Sequence, residues 1–140
     1  MSDEAEMSAV FSAIGEDGFR RFVAGFYRRV PTDNVLGPMY PPLDLAEAER
    51  RLGDFLISRF GGPDRYIRER GPPRLRMRHS PFAITNAARD RWVMLMDQAL
   101  SEADLPAAIV DIVRPFLQAT ATMLINVGEP PLPLPLVNIS

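Results

Sequence analysis

Pro73-Arg74-Leu75-Arg76-Met77-Arg78-His79-Ser80-Pro81-Phe82 contains the only histidine in the 140 residues, with arginines at positions 74, 76 and 78 ahead of it. Prolines bound the stretch, so a helix here has at most two turns. That makes it a poor core element but a good mount for one presented side chain. Imidazole is the commonest protein ligand for metals, yet a single one cannot complete a zinc site. Guanidinium groups grip carboxylates and phosphates through a planar fork of donors. One nitrogen ligand beside an anion-binding set suggests a cofactor that brings its own metal and its own carboxylates, and haem answers that description. The same residues also suit a surface histidine with satisfied hydrogen bonds beside a solvated arginine stripe. The stretch alone leaves both readings open.

The rest of the chain sets the context. Its length matches one domain, and 46% apolar with 24% charged residues is the composition of an ordinary globular protein. A net charge of −2 argues against a general affinity for nucleic acid, and the arginines that dominate the basic residues favour specific ion pairing. The absence of cysteine excludes disulfides, thiolate-held iron–sulfur clusters and thiol catalysis. The acidic start, Met1 to Glu6, has no apolar run behind it. No uninterrupted apolar stretch is long enough to span a bilayer, so a soluble cytoplasmic protein with no membrane partner is expected.

Outward from His79, helical periodicity dominates. Residues 1–14 read as a loose lead-in, with Met7, Val10 and Phe11 in a short turn. Phe19, Phe22, Val23, Phe26, Tyr27 and Val30 fall on one helical face, with Arg20, Arg21, Arg28 and Arg29 on the other. Pro31 ends that helix, and residues 32–42 form a connection carrying Leu36, Met39 and Tyr40. Asp44 with Glu47 predicts a capping box for a second helix, whose inner face is Leu45, Ala48, Leu52, Phe55 and Leu56. Gly61-Gly62-Pro63 stops it. Tyr66 and Ile67 suggest a helical turn. Thr85 caps a helix carrying Ala88, Trp92, Leu95, Met96 and Ala99, from which Asp90 and Arg91 face away. The last helix opens near Pro106, bends at Pro115 and carries apolar positions from Ile109 to Val127 before a Gly128 cap. Residues 129–140 form a Pro-rich tail expected to extend as polyproline II. No segment alternates with period two and no repeat is visible. The prediction is an all-α domain over 15–128, with helices packed in two layers.

Arg74-Leu75-Arg76-Met77-Arg78-His79-Ser80-Pro81-Phe82, followed by Arg89-Asp90-Arg91-Trp92, resembles the second group of the truncated haemoglobins. Phe26-Tyr27, Met39-Tyr40-Pro41, Ala46 to Leu52 and Phe60-Gly61-Gly62-Pro63 support the likeness, which covers about Phe19 to Val127. The resemblance implies a truncated globin fold, a two-over-two helical sandwich around haem b (iron protoporphyrin IX). It makes His79 the proximal ligand to the metal. It makes Tyr27, Tyr40 and Trp92 distal groups, with Ala48, Leu52 and Phe55 lining the same side. Arg78, with Arg76, is the implied partner of a haem propionate, and Tyr66 is a weaker candidate. Two features depart from the family pattern: Gly15-Glu16 replaces the usual glycine pair, and the Pro-rich tail is unlike the usual ending.

With one histidine in the chain, no second imidazole exists to close the sixth coordination position, so a pentacoordinate iron open to O2, CO or NO is expected. Hydroxyl and indole donors in a dry pocket stabilise a polarised diatomic ligand and slow its release. The same site would serve an NO dioxygenase fed by an external reductase, or a peroxidase-like enzyme. A cofactor-free helical interaction module is the reading from another class, because Tyr27 and Trp92 sit where aromatic residues commonly fill cores. The tail residues Leu132, Leu134 and Leu136 leave a homodimer open.

Overall fold

The Phe19 series does form a helix, but the helical structure begins well before it. In the computed structural model, which describes residues 3–127, α1 spans Asp3–Arg29 and is interrupted at Gly15, whose φ of 66° and ψ of −179° are non-helical. A residue without Cβ takes that positive φ at little cost, so one helical run becomes two segments joined at a kink. The expected loose lead-in is therefore corrected. Val10 is completely buried, and the Phe11 N–H donates to the Phe60 carbonyl at 3.1 Å. The first segment docks on the end of the second helix because Gly61, at φ 99°, lets the backbone at Ser8 come close.

After α1, Val30–Thr32 tightens into a 3-10 turn at Pro31, and further 3-10 turns form at Gly37–Met39 and Pro42–Asp44. Helix α2 is Leu45–Arg59. The predicted capping box does not form. Asp44 makes no side-chain cap bond, and Glu47 instead accepts from Arg50 Nε at 2.9 Å. The backbone explains this. Asp44 closes a 3-10 turn, with its N–H bonded to Pro41, and its near-helical φ and ψ differ from the extended conformation a capping side chain requires.

Two short helices follow, α3 at Arg65–Arg70 and α4 at Leu75–His79, then α5 at Asn86–Glu102 and α6 at Ala107–Met123. Thr85 caps α5 as expected, its hydroxyl accepting from the Ala88 N–H at 3.0 Å. Helix α6 contains Pro115 but stops at Met123, so Val127 lies beyond it. The Asn126 and Val127 N–H groups bond to the Ile84 carbonyl rather than continuing the helix. The Gly128 cap and the polyproline tail lie outside the described residues.

Among the described residues the fold is all-α, without strands. Helix α1 packs most extensively on α5 and α2, and α6 on α5 with a smaller contact to α1. Phe19, Phe22 and Phe26 of α1 meet Phe60, Leu56, Met96 and Leu100 in the buried core. Each such side chain contributes about 1.5–3 kcal/mol by leaving water. A charged network ties the open side together. The buried Asp54 carboxylate accepts from Arg20 at 2.6 Å and Arg50 at 3.2 Å, and Arg65 reaches Glu16 at 2.8 Å, joining α1, α2 and α3. No described helix is long and apolar enough to cross a membrane.

Candidate functional site

A core built to close on itself would fill the space between α2, α4, α5 and α6, because protein interiors pack like organic crystals. Here a cavity of about 320 Å³ remains. It lies within the range of roughly 300–1,000 Å³ typical of ligand pockets. Nine of the ten residues singled out from the sequence line it: Tyr27, Tyr40, Ala48, Leu52, Phe55, Tyr66, Arg78, His79 and Trp92. Arg76 does not. Leu75, Arg78 and His79 share one face of the single helical turn of α4, so Arg76 falls on the other and borders a separate outer hollow with Ser80 and Pro81.

His79 is held by its own helix. Its Nδ1 lies 2.8 Å from the Leu75 carbonyl oxygen, which can only accept, so Nδ1 carries the proton. Nε2 then presents its lone pair, the state a metal ligand requires. The mount is braced at both ends. Arg74, before α4, adopts a left-handed conformation with φ 45°, which is strained for a residue with Cβ. Arg78 clamps the preceding loop, donating from Nε to the Pro73 carbonyl at 2.7 Å and from Nη2 to that of Arg70 at 2.5 Å. On the far side Asn126 donates to the carbonyls of His79 and Phe82 at 3.3 and 2.9 Å, and accepts from the Ile84 N–H at 2.8 Å.

The Arg78 clamp changes the reading of the arginines. Arg78 lines the cavity, but its guanidinium is engaged by backbone oxygens. Arg51 and Arg70 also line the cavity, and neither guanidinium makes a hydrogen bond or ion pair to protein among the described residues. Arg70 and Arg78 both stand 6.0 Å from the centre of the buried Tyr66 ring, which holds their charge near the rim. Arg51 and Arg70 are thus the free cations for a carboxylate. Sequence pattern could have suggested Arg51, three residues after Ala48 on the same helical face; nothing local distinguishes Arg70.

The aromatic donors form one cluster. Phe26 packs edge-on to Tyr27, Tyr40 and Trp92 with ring centres 4.9, 6.4 and 5.7 Å away, and Tyr27 meets Tyr40 at 5.8 Å. Burial pushes the Tyr27 phenol far above its ordinary pKa, with Tyr40 adding to the effect and Arg51 opposing it. Burial raises Tyr40 to about 12, partly offset by the neighbouring Trp92 indole. Both phenols therefore keep their protons at neutral pH. The Tyr27 hydroxyl has no hydrogen-bond partner in the protein among the described residues, although the residue is buried. Tyr27 lines the cavity and its hydroxyl is not among the enclosed polar atoms left without a partner, so it opens onto that space, where a ligand can meet it.

One expected outward residue has a buried partner. Arg91 donates from Nε to the buried Asp33 carboxylate at 2.9 Å while its own side chain stays 40% exposed. Sequence reading missed Asp33 because its partner lies 58 residues away.

These residues fit a haem. They provide an imidazole with its ligating nitrogen free, largely apolar walls, unpaired arginines for two carboxylates and an unpartnered hydroxyl. Among the described residues no group of three or more His, Asp or Glu side chains could hold a metal ion directly, so a metal at His79 would arrive within a cofactor.

Comparison with known proteins agrees with this geometry. A family model described as bacterial-like globin matches residues 9–126. The group 2 truncated hemoglobin YjbI of Bacillus subtilis is 38% identical over 122 residues, covering 87% of this chain and 92% of that protein. The X-ray structure of a thermostable hemoglobin from the actinobacterium Thermobifida fusca superposes with a TM-score of 0.81 at 43% identity, covering 84% of this chain and 97% of that one. The structure of a truncated oxygen-avid haemoglobin from Bacillus subtilis gives 0.78 at 38% identity, covering 84% and 98%.

Proposed function

The chain belongs to the bacterial-like globin family, as a group II truncated globin with that family's haem-binding fold, and from this membership we propose that it holds haem b through His79 and binds O2, with CO and NO as further ligands. The observation that carries the reading is His79 itself: its Nδ1 proton is taken by the Leu75 carbonyl, and its ligating nitrogen is left free in an apolar cavity.

Bound haem supplies an iron with a coordination position open to a diatomic gas. The protein does the rest. The Leu75 carbonyl fixes the imidazole tautomer and raises the basicity of the ligating nitrogen. Arg51 and Arg70 take the propionates, with Arg78 bracing the loop between α3 and α4. Neither the Tyr40 nor the Tyr27 hydroxyl makes a hydrogen bond to protein among the described residues, and both residues line the cavity, so each O–H is free to donate into the pocket. Each neutral hydrogen bond of about 1 kcal/mol slows release of a polarised ligand roughly fivefold. Ala48 adds no polar group from α2. The oxygen avidity named for the Bacillus subtilis relative supports the same preference here.

A cofactor-free helical module would close the cavity and satisfy Tyr27, so the open space and the bare hydroxyl favour the haem reading. NO dioxygenation and peroxide turnover need electrons from outside this pocket. Multiple-turnover assays with an added reductant separate them from gas binding.

The test is a haemin titration of the purified chain. One haem per chain is expected, with a pentacoordinate ferrous spectrum after reduction. His79→Ala should lose that spectrum. Absence of a Soret shift in the unsubstituted protein would refute the proposal. Tyr27→Phe and Tyr40→Phe should each raise the O2 dissociation rate roughly fivefold, as expected for one lost neutral hydrogen bond.

A further inference from the structure

Asp33 is one of the two described acidic residues buried in the fold, and its side chain is only 2% exposed. The haem pocket does not use it directly, yet it makes more hydrogen bonds than any group around that pocket. One oxygen, Oδ2, accepts from the N–H groups of Val35 and Leu36 at 3.1 and 2.9 Å. The other, Oδ1, accepts from Nε of Arg91 at 2.9 Å and also from its Nη2. One oxygen thus organises the connection after α1, and the other ties it to α5.

Both ends lead to pocket residues by short paths. The Asp33 carbonyl accepts from the Gly37 N–H at 2.8 Å, and the Gly37 carbonyl accepts from the Tyr40 N–H at 3.1 Å. Two successive backbone bonds therefore carry the position of Asp33 to Tyr40. Arg91 immediately precedes Trp92 on α5. The Gly37–Met39 turn packs extensively only on the Val30–Thr32 turn before it, and not on any long helix. Beside the apolar packing of Tyr40 on Phe26 and the burial of Leu36, the Asp33–Arg91 pair is the polar tie between this connection and α5 among the described residues.

We propose that Asp33 and Arg91 form a latch that sets the spacing of Tyr40 and Trp92 across the pocket, making Arg91 a positioning residue for ligand retention. With the latch closed, the Tyr40 phenol and the Trp92 indole both pack on the Phe26 ring and both line the pocket. With it open, the connection swings from α5, Tyr40 moves away from Trp92 and the pocket gains an exit between the two rings. The effect on retention rests on the haem and gas-binding reading; the spacing itself does not.

The test therefore has two readouts. Trp92 is the only tryptophan in the chain, so its fluorescence reports the spacing in full-length protein before haemin is added. Arg91→Met should increase acrylamide quenching of Trp92, and Arg91→Lys should restore most of the protection. After haemin loading, Arg91→Met should raise the O2 dissociation rate roughly fivefold, as for one misplaced Tyr40 hydrogen bond to the ligand, and should add little in a Tyr40→Phe background. Arg20→Met serves as the control. It removes one of the two partners of the other buried carboxylate, Asp54, away from the pocket, and should lower stability without changing quenching or release. Equal quenching in Arg91→Met and unsubstituted protein would overturn the latch whether or not haem binds. So would additive effects of Arg91→Met and Tyr40→Phe. A normal quenching response with no haem uptake would support the spacing and refute the gas-binding reading instead.

Discussion

Replacing Phe26 with leucine separates the pocket's packing from that of the general core. Phe26 is fully buried, and its ring meets those of Tyr27, Tyr40 and Trp92 at 4.9, 6.4 and 5.7 Å. A near volume-conserving swap in a core costs less than about 1.5 kcal/mol. Each aromatic pair adds about 0.5–1.5 kcal/mol beyond burial, and neighbouring pairs are not additive, so Phe26→Leu should cost about 2–4 kcal/mol in total. Phe22 lies about one turn earlier on the same helix and is equally buried, but it has no ring pair among the described residues. Phe22→Leu should therefore stay below about 1.5 kcal/mol. At this chain length 1 kcal/mol moves the melting temperature by about 3–5 °C, so the two variants should differ by at least about 2 °C. Thermal and urea unfolding followed by circular dichroism measure that difference. O2 release from the loaded protein supplies the functional half, with Phe26→Leu accelerating it and Phe22→Leu leaving it unchanged. Equal melting temperatures for the two variants, or identical release rates, would refute the view that Phe26 holds the donor cluster in place.

Gly61→Ala should cost about 3 kcal/mol or more, since a Cβ there would lie 2.4 Å from the Ser8 carbonyl oxygen at φ 99°. Gly15→Ala, with φ 66° and ψ −179° but open space around it, should cost about 1–3 kcal/mol by urea midpoint, from backbone strain alone. The Asp33 carboxyl is held below its ordinary pKa by the Arg91 hydrogen bond, with burial opposing and the Leu36 and Val35 N–H groups helping. A depressed folded-state value stabilises the protein fully above the unfolded carboxyl pKa of about 4, and that stability is lost as pH falls through the folded value. Asp33→Asn should accordingly lessen the loss of stability on acidification below about pH 4, measured as melting temperature against pH. Arg78→Met should lower stability by about 1–2 kcal/mol through its lost backbone bonds, whereas Arg51→Met with Arg70→Met should speed haem transfer to an acceptor protein with little change in melting. The opposite assignment of the two effects would return Arg78 to the role of propionate partner.

The sequence by itself determined what depends on the chemistry and local spacing of its residues. The lone His79 between prolines, the Phe19-to-Val30 face, the Thr85 cap and the stop at Gly61-Gly62-Pro63 are all local, because periodicity, caps and breakers act within a turn or two. Tyr27, Tyr40 and Trp92 were legible as donor-bearing aromatics, although their convergence on one pocket came only with the resemblance and the fold. The tertiary structure decided what depends on partners far along the chain. The first fourteen residues read as a loose lead-in, yet the Phe60 carbonyl and Gly61 give the helical segment before Gly15 a surface to dock on at Ser8 and Phe11. Asp44 and Glu47 match a capping box, but the 3-10 turn at Pro42–Asp44 removes the backbone conformation it requires. Among the arginines, Arg78 and Arg76 stood beside His79 in sequence and looked alike; only the fold turned Arg76 outward, gave Arg78 to the backbone, and left Arg51 and Arg70 free at the cavity. Arg91 looked solvent-facing until Asp33 was brought against it. A guanidinium's role is set by whichever oxygens surround it, and three-dimensional packing chooses them.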